Sequence, residues 1–218
     1  MLAVVNRNTA MYNRSVMVFV DFGGVVSITM LPDLLRYRDF GELALTRHRF
    51  DRMLQDGEYE RIAPGTFLRA GAVDDTIAAW MVIATKKPEA TICLLSAAAL
   101  HDLTDEIPRS SDIAIPRGSQ PATIHYAPIT WHRFAPDTFG IGRTEHLLPG
   151  GLAIGLYSPE RTIIDLFRLR HAWGSDLAIG SLKRWLRGHG NSPGELLALA
   201  QDFPTARPAM QNALEVLL

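Results

Sequence analysis

The chain has 218 residues, enough for one large domain or two small ones, and 47% hydrophobic against 21% charged content is the composition of a folded chain, not a disordered one. A formal net charge of −1 excludes a globally basic nucleic-acid coat, so any nucleic-acid surface must be a local patch. The lone cysteine, Cys93, excludes an internal disulfide and a cysteine-rich zinc site and fits a reducing cytoplasm.

The apolar stretch from Val16 to Phe22 is too short, and too interrupted by Asp21, to span a bilayer, and it lacks the cleavage pattern of a secretory signal. No membrane segment is expected. Residues 1–29 are assigned to an N-terminal extension, with part of "FVDFGGVVSITM" able to supply a strand and helix start to the unit that follows. From Leu31, "LPDLLRYRDFGEL" spaces Leu31, Leu34, Leu35 and Tyr37 near the helical period and predicts a short helix, Pro32 lying in its first turn. "ALTRHRFDRMLQDG" predicts the next helix. Thr46 is its N-cap, Phe50, Met53 and Leu54 form its packing face, and Gly57 its stop. "EYERIAPGTFLRA" then reads as two strands around the Pro64-Gly65 turn.

Helices followed by such a hairpin make a winged helix-turn-helix. The second helix of that motif places its N-terminal residues against base edges, while arginines and the wing hold phosphates. Thr46, Arg47, His48, Arg49 and Arg52 occupy that helix, and Arg61 and Arg69 fall on the wing strands. These seven are the candidate DNA-binding residues. The competing reading is a solvated surface: seven arginines and six acids share the interval from Arg36 to Arg69, and Asp51, Asp56, Glu58 and Glu60 dilute the potential.

Beyond it, "DDTIAAWMVIATKKPEA" opens on acids and closes on lysines, the charge order that complements a helix dipole. "TICLLSAAALHDL" is apolar enough to be buried. "SDIAIPRGS", "ATIHYAPITWHRF" and "GLAIGLY" are strand-like runs that predict a mixed sheet. The last sixty or so residues read as helices: "SPERTIIDLFRLRHAWG" with Ser158 as N-cap and Pro159 at the first position, "SDLAIGSLKRWLRGHG", "SPGELLALAQDFP" with a Ser192/Glu195 capping box, and "ARPAMQNALEVLL". Arg161 and Asp165, four apart, predict a structural ion pair.

Enzyme signals are weak. Cys93 and His101 resemble a nucleophile and base but flank a strongly apolar run, where a cysteine acts as a small hydrophobe. The seven histidines show no metal-ligand spacing, and no phosphate-cradling glycine loop is present, so no metal, cofactor or catalytic residue is assigned. In "HDLTDEIPRSSDIAIPRGS", charged residues including Arg109 face either a partner or solvent, and the pattern does not choose.

Four segments in order, "GEYERIAPGTF", "LLSAAALHDLTDEIP", "IAIPRGS" and "YSPERTIIDLFRLR", resemble the AbiEi family of antitoxins from type IV toxin–antitoxin systems, particularly actinobacterial members. The resemblance covers about Leu31 to Leu218. It implies an α+β chain with a winged helix-turn-helix at 30–72 that binds inverted repeats in its own promoter, as two copies on the DNA. It further implies a larger mixed α/β antitoxin domain at 73–218, ending in a helical bundle and counteracting a nucleotidyltransferase-like toxin, directly or indirectly. The family's groove helix falls on Thr46, Arg47, Arg49 and Arg52 and its wing on Arg61 to Arg69. The antitoxin is not an enzyme in that family. Alternatives are a toxin-binding protein without DNA binding and a ligand-responsive regulator.

Overall fold

A computed structural model describes the backbone of residues 17–22 and 25–218 and side chains from Leu31 onward. Much of the proposed 1–29 extension therefore lies outside the described residues. Within it, β1 (Met17–Phe22) and β2 (Val25–Met30) pair as an antiparallel hairpin.

The architecture is α+β, with a β-α-β-β-α segment after that hairpin, then a larger mixed α/β region ending in several helices. The helix expected from Leu31 is replaced by β3 (Leu34–Arg36) and a single 3-10 turn, Tyr37–Asp39. Tertiary pairing overrides the helical spacing here. The adjacent Leu34 and Leu35 point to opposite faces of a strand, and each enters a different buried cluster. α1 (Arg47–Gln55) follows, with Thr46 Oγ1 accepting from the Arg49 N–H at 3.3 Å, and Gly57 takes a left-handed φ of 73° past its end. β4 (Tyr59–Ala63) and β5 (Thr66–Arg69) turn through Pro64-Gly65, and the small sheet runs in the order β3-β5-β4.

Next come α2 (Asp75–Lys86), capped by Asp74, then β6 (Thr91–Ile92), α3 (Leu94–Leu100) and β7 (Ser111–Pro116). They lead to β8 (Ile129–Phe134), α4 (Pro136–Phe139), β9 (Arg143–Leu148) and β10 (Leu152–Tyr157). The central sheet has the order β8-β7-β6-β10-β9 and is mixed, with β7–β8 and β6–β10 parallel and the other pairs antiparallel. The helical end comprises α5 (Pro159–Arg168), α6 (Arg170–Trp173), α7 (Ser175–Leu186), α8 (Pro193–Leu199) and α9 (Arg207–Leu217). Ser158 and Ser192 cap α5 and α8 through their hydroxyls, as their sequence positions predict.

Three buried clusters stack through the molecule. Leu35, Phe40, Phe50, Met53, Tyr59 and Phe67 join α1 to one face of the small sheet. On its other face Leu34, Ile62 and Leu68 pack with α2 and with Ile92, Ile113, Ile115, Ile154 and Leu156 of the central sheet. The opposite side of the central sheet, through Ala114 and Tyr157, meets α3, α5 and the C-terminal helices. A buried core thus joins residues on both sides of position 72/73. Gly150 shows how tightly it does so: a Cβ there would sit 2.4 Å from Leu34 Cδ2, and Arg36 donates to the Gly150 carbonyl at 3.3 Å.

Arg161 is fully buried in the third cluster. Its Nε donates to Asp165 Oδ2 at 3.0 Å, its Nη1 to the Thr138 and Ile141 carbonyls at 2.7 and 2.5 Å, and its guanidinium lies over the Tyr157 and Phe203 rings at 4.2 and 4.4 Å. Arg168 holds the other carboxylate oxygen, Asp165 Oδ1, at 3.1 Å. Burial pushes the Asp165 carboxyl up from its ordinary value, and the two guanidiniums pull it back toward the ionised form. Removing one member of a buried pair strands the other, so Arg161→Ala is expected to lower unfolding free energy by about 3–5 kcal/mol in urea titrations. A loss below about 1 kcal/mol would mean the node is not structural.

Candidate nucleic-acid interface

The outward face of α1 is built by the residues that do not enter the core. Phe50 and Met53 are buried, and Phe50 meets Phe40, Phe67 and Tyr59 with ring centroids 4.7 to 5.9 Å apart. That aromatic seat fixes the helix's rotation, leaving Arg47, His48, Asp51 and Arg52 exposed and Arg49 half-buried. His48 and Arg52, one turn apart, meet at 3.3 Å between Nε2 and Nη2. Three arginines and a histidine thus share a nine-residue helix with Asp51, the single acid inside it.

The β4–β5 hairpin stands next to this helix. Arg61 is exposed on β4, and its Nε reaches the Ala63 carbonyl at 3.4 Å. Arg69, by contrast, departs from its expected surface role. It is buried, donates from Nε to Asp33 Oδ1 at 2.8 Å and from Nη2 to the Leu31 carbonyl at 2.6 Å, and stacks its guanidinium over Tyr59 at 5.0 Å. Its partners on the segment before β3 draw it inward, and the local alternation of β5 carries no sign of them. Burial pushes the Tyr59 hydroxyl up to about 12, with Arg69 opposing, so the phenol remains a donor to the Pro32 carbonyl at 2.7 Å.

Sequence reasoning passed over Tyr37. The residue is 43% exposed in the 3-10 turn, and its ring lies edge-on to Phe67 at 5.0 Å. The Arg47 guanidinium sits over it at 5.2 Å, and its backbone N–H donates to the Gly65 carbonyl of the hairpin turn at 3.1 Å. Tyr37 therefore ties the start of α1 to the tip of the hairpin. The signal available in sequence was an aromatic between two arginines, Arg36 and Arg38, which a helical reading of that segment obscured.

Cys93 is fully buried and burial pushes its thiol well up, away from thiolate, while His101 Nε2 lies 2.7 Å from the Tyr157 carbonyl. Among the described residues no group of three His, Cys, Asp or Glu side chains is placed to hold a metal ion, and no helix is long and apolar enough to cross a membrane.

The two kinds of arginine separate in a stability measurement. Arg69→Ala removes charge-assisted bonds from a buried site and is expected to lower unfolding free energy by about 2 kcal/mol. Arg47→Ala and Arg52→Ala should change it by no more than about 0.5 kcal/mol. Equal, small effects in urea unfolding would show that the Arg69 contacts carry no stability.

No protein-family model matches the sequence, and no curated protein matches it. The fold is similar to that of the RV2827C protein from Mycobacterium tuberculosis, known from a crystal structure, with a TM-score of 0.51 over 85% of this chain and 71% of that one. Identity between the two is 16%, so what they share is a fold.

Proposed function

We propose that this chain is an AbiEi-type antitoxin of a type IV toxin–antitoxin system. In this reading it represses its own operon by binding promoter inverted repeats, and counteracts a nucleotidyltransferase-like toxin without catalysis of its own. Residues 30–72 act as the winged DNA-binding unit, with the 3-10 turn Tyr37–Asp39 standing where the motif's first helix would be, α1 as the recognition helix and the β4–β5 hairpin as the wing. The region from 73 to 218 carries antitoxicity.

The observation that supports this most is the exposure of Arg47, His48 and Arg52, with Arg49 half-buried beside them, on a helix whose inner face is seated on the hairpin-bearing sheet. In helix-turn-helix docking the front of that helix meets base edges, and flanking cations and the wing meet phosphates. Arg47, Arg49, Arg52 and Arg61 are the residues assigned here. Arg69 is left out because its donors are turned to Asp33 and Leu31. The resemblance of the four ordered sequence segments to AbiEi antitoxins adds the toxin and the promoter to what geometry alone suggests. Inverted repeats call for two copies on the DNA, and the setting is the cytoplasm.

Fluorescence anisotropy of the protein against its own upstream DNA and a scrambled duplex, across a salt series, tests the reading. Selective binding is expected, with a log–log salt slope of about −3 per copy if three or four arginines neutralise phosphates. Arg49→Ala should weaken operator binding and flatten that slope by about 1 where the lost contact is to phosphate, while leaving toxin neutralisation in a growth assay intact. Equal affinity for both duplexes with a slope near zero would remove the DNA-binding role.

A further inference from the structure

The exposed cations of the candidate interface differ in where their donors go. Arg52 Nη2 meets His48, and Arg61 Nε reaches the Ala63 carbonyl. Arg47, the first residue of α1 after the Thr46 cap, is exposed, and its guanidinium makes no hydrogen bond or ion pair with another described residue. What it does meet is an aromatic face, with Cζ 5.2 Å from the centroid of the Tyr37 ring. An arginine in open water loses rotamer freedom when it binds. A ring beneath the guanidinium removes part of that freedom in advance and leaves the N–H donors along its edge open to a ligand.

Tyr37 is itself held firmly. Its ring lies edge-on to Phe40 at 5.3 Å and to Phe67 at 5.0 Å, two members of the aromatic seat on which Phe50 fixes α1. Its backbone N–H donates to the Gly65 carbonyl at 3.1 Å, and the turn is close enough that a Cβ at Gly65 would stand 3.3 Å from Tyr37 Cδ2. Strand register brings in Arg61. It pairs with Phe67, which pairs with Leu35, so the three side chains share one face of the small sheet, the face that carries α1. Tyr37 thus packs beside Phe67 at the junction between the front of α1 and the tip of the hairpin. Its hydroxyl makes no hydrogen bond with another described residue.

The geometry points to Tyr37 as a positioning residue of the DNA interface. Its ring aims the Arg47 guanidinium at the acceptor atoms of the duplex before the duplex arrives, and sets the spacing of that cation from the hairpin. The inference rests on the DNA-binding reading of α1 and deepens it. Tyr37 acts through Arg47, and the ring carries the effect without the hydroxyl.

The test is a double-mutant cycle read by anisotropy of the full chain on its own upstream DNA, with Tyr37→Leu, Arg47→Ala, the two together, and Tyr37→Phe. Tyr37→Leu is expected to weaken binding about fivefold, the order expected for freeing one long side chain. Tyr37→Phe should bind like the parent, and Tyr37→Leu added to Arg47→Ala should weaken binding by less than about twofold more. A structural defect would lower affinity by the same factor in both backgrounds, and that additivity would overturn the inference. A Tyr37→Phe defect as large as that of Tyr37→Leu would overturn it too, by making the hydroxyl the contact. The DNA-free parent gives a second readout that needs no variant to fold: the Tyr37 ring current should move the Arg47 side-chain NMR resonances upfield, and unshifted resonances would sink the positioning role. Parent-like binding by Tyr37→Leu would overturn the inference and leave the DNA reading standing. A parent that does not prefer its upstream DNA to a scrambled duplex would remove both.

Discussion

The small sheet β3-β5-β4 is buried on both faces, and the rest of the molecule is arranged around that constraint. Its longest strand has five residues and its shortest three, too little to be stable alone. Stability comes from its two neighbours. Leu35 and Phe67 enter the aromatic cluster beneath α1, while Leu34, Ile62 and Leu68 enter the core shared with α2 and the central sheet. The basic helix is therefore carried on a platform that belongs equally to the larger region. This explains why a left-handed glycine at position 150, far along the chain, is shaped to admit Leu34.

A second constraint lies deeper. The α5 helix buries a charged side chain at each of two successive turns, Arg161 and Asp165, and neither has water to solvate it. The structure meets that demand with backbone carbonyls from the α4 region, with Arg168, and with the faces of Tyr157 and Phe203. Desolvation of such a pair is large enough that its net worth over an apolar replacement is small, yet losing one partner is severe. The pair thus ties the orientation of α5 to the α4 turn and to β10, and so to the sheet. Pattern alone reached the i, i+4 pair at its right position, but not the aromatic and carbonyl cage, which is assembled from residues up to 42 positions away.

How much was legible follows the same division between local and distant causes. Thr46, Ser158 and Ser192 signal helix starts through side-chain oxygens that act within three residues, and those boundaries were readable. The Pro64-Gly65 turn was readable for the same reason. The segment at Leu34 was not, because a three-residue strand is made by its pairing with β5 rather than by its own spacing. β9 was missed too: it is an edge strand whose Thr144, Glu145 and Leu147 face solvent, so it lacks a clean apolar alternation. On α1 the split into a buried side, Phe50 and Met53, and an exposed side, His48 and Arg52, was legible because a helix separates its faces by simple geometry. Arg69 was misread because its partners, Leu31 and Asp33, lie 38 and 36 residues away.

The fold also joins its two sheets through a single element. Trp80 of α2 donates its indole N–H to Ser111 at the start of β7, and Ala78, Met81 and Val82 of the same helix pack in the core that holds Leu34, Ile62 and Leu68. The platform beneath α1 and the central sheet therefore share one helix. The close packing of α2 against both sheets argues that it moves as a rigid body or not at all. The position of α1 is thus fixed to the central sheet through α2, and a displacement of either sheet must carry that helix with it.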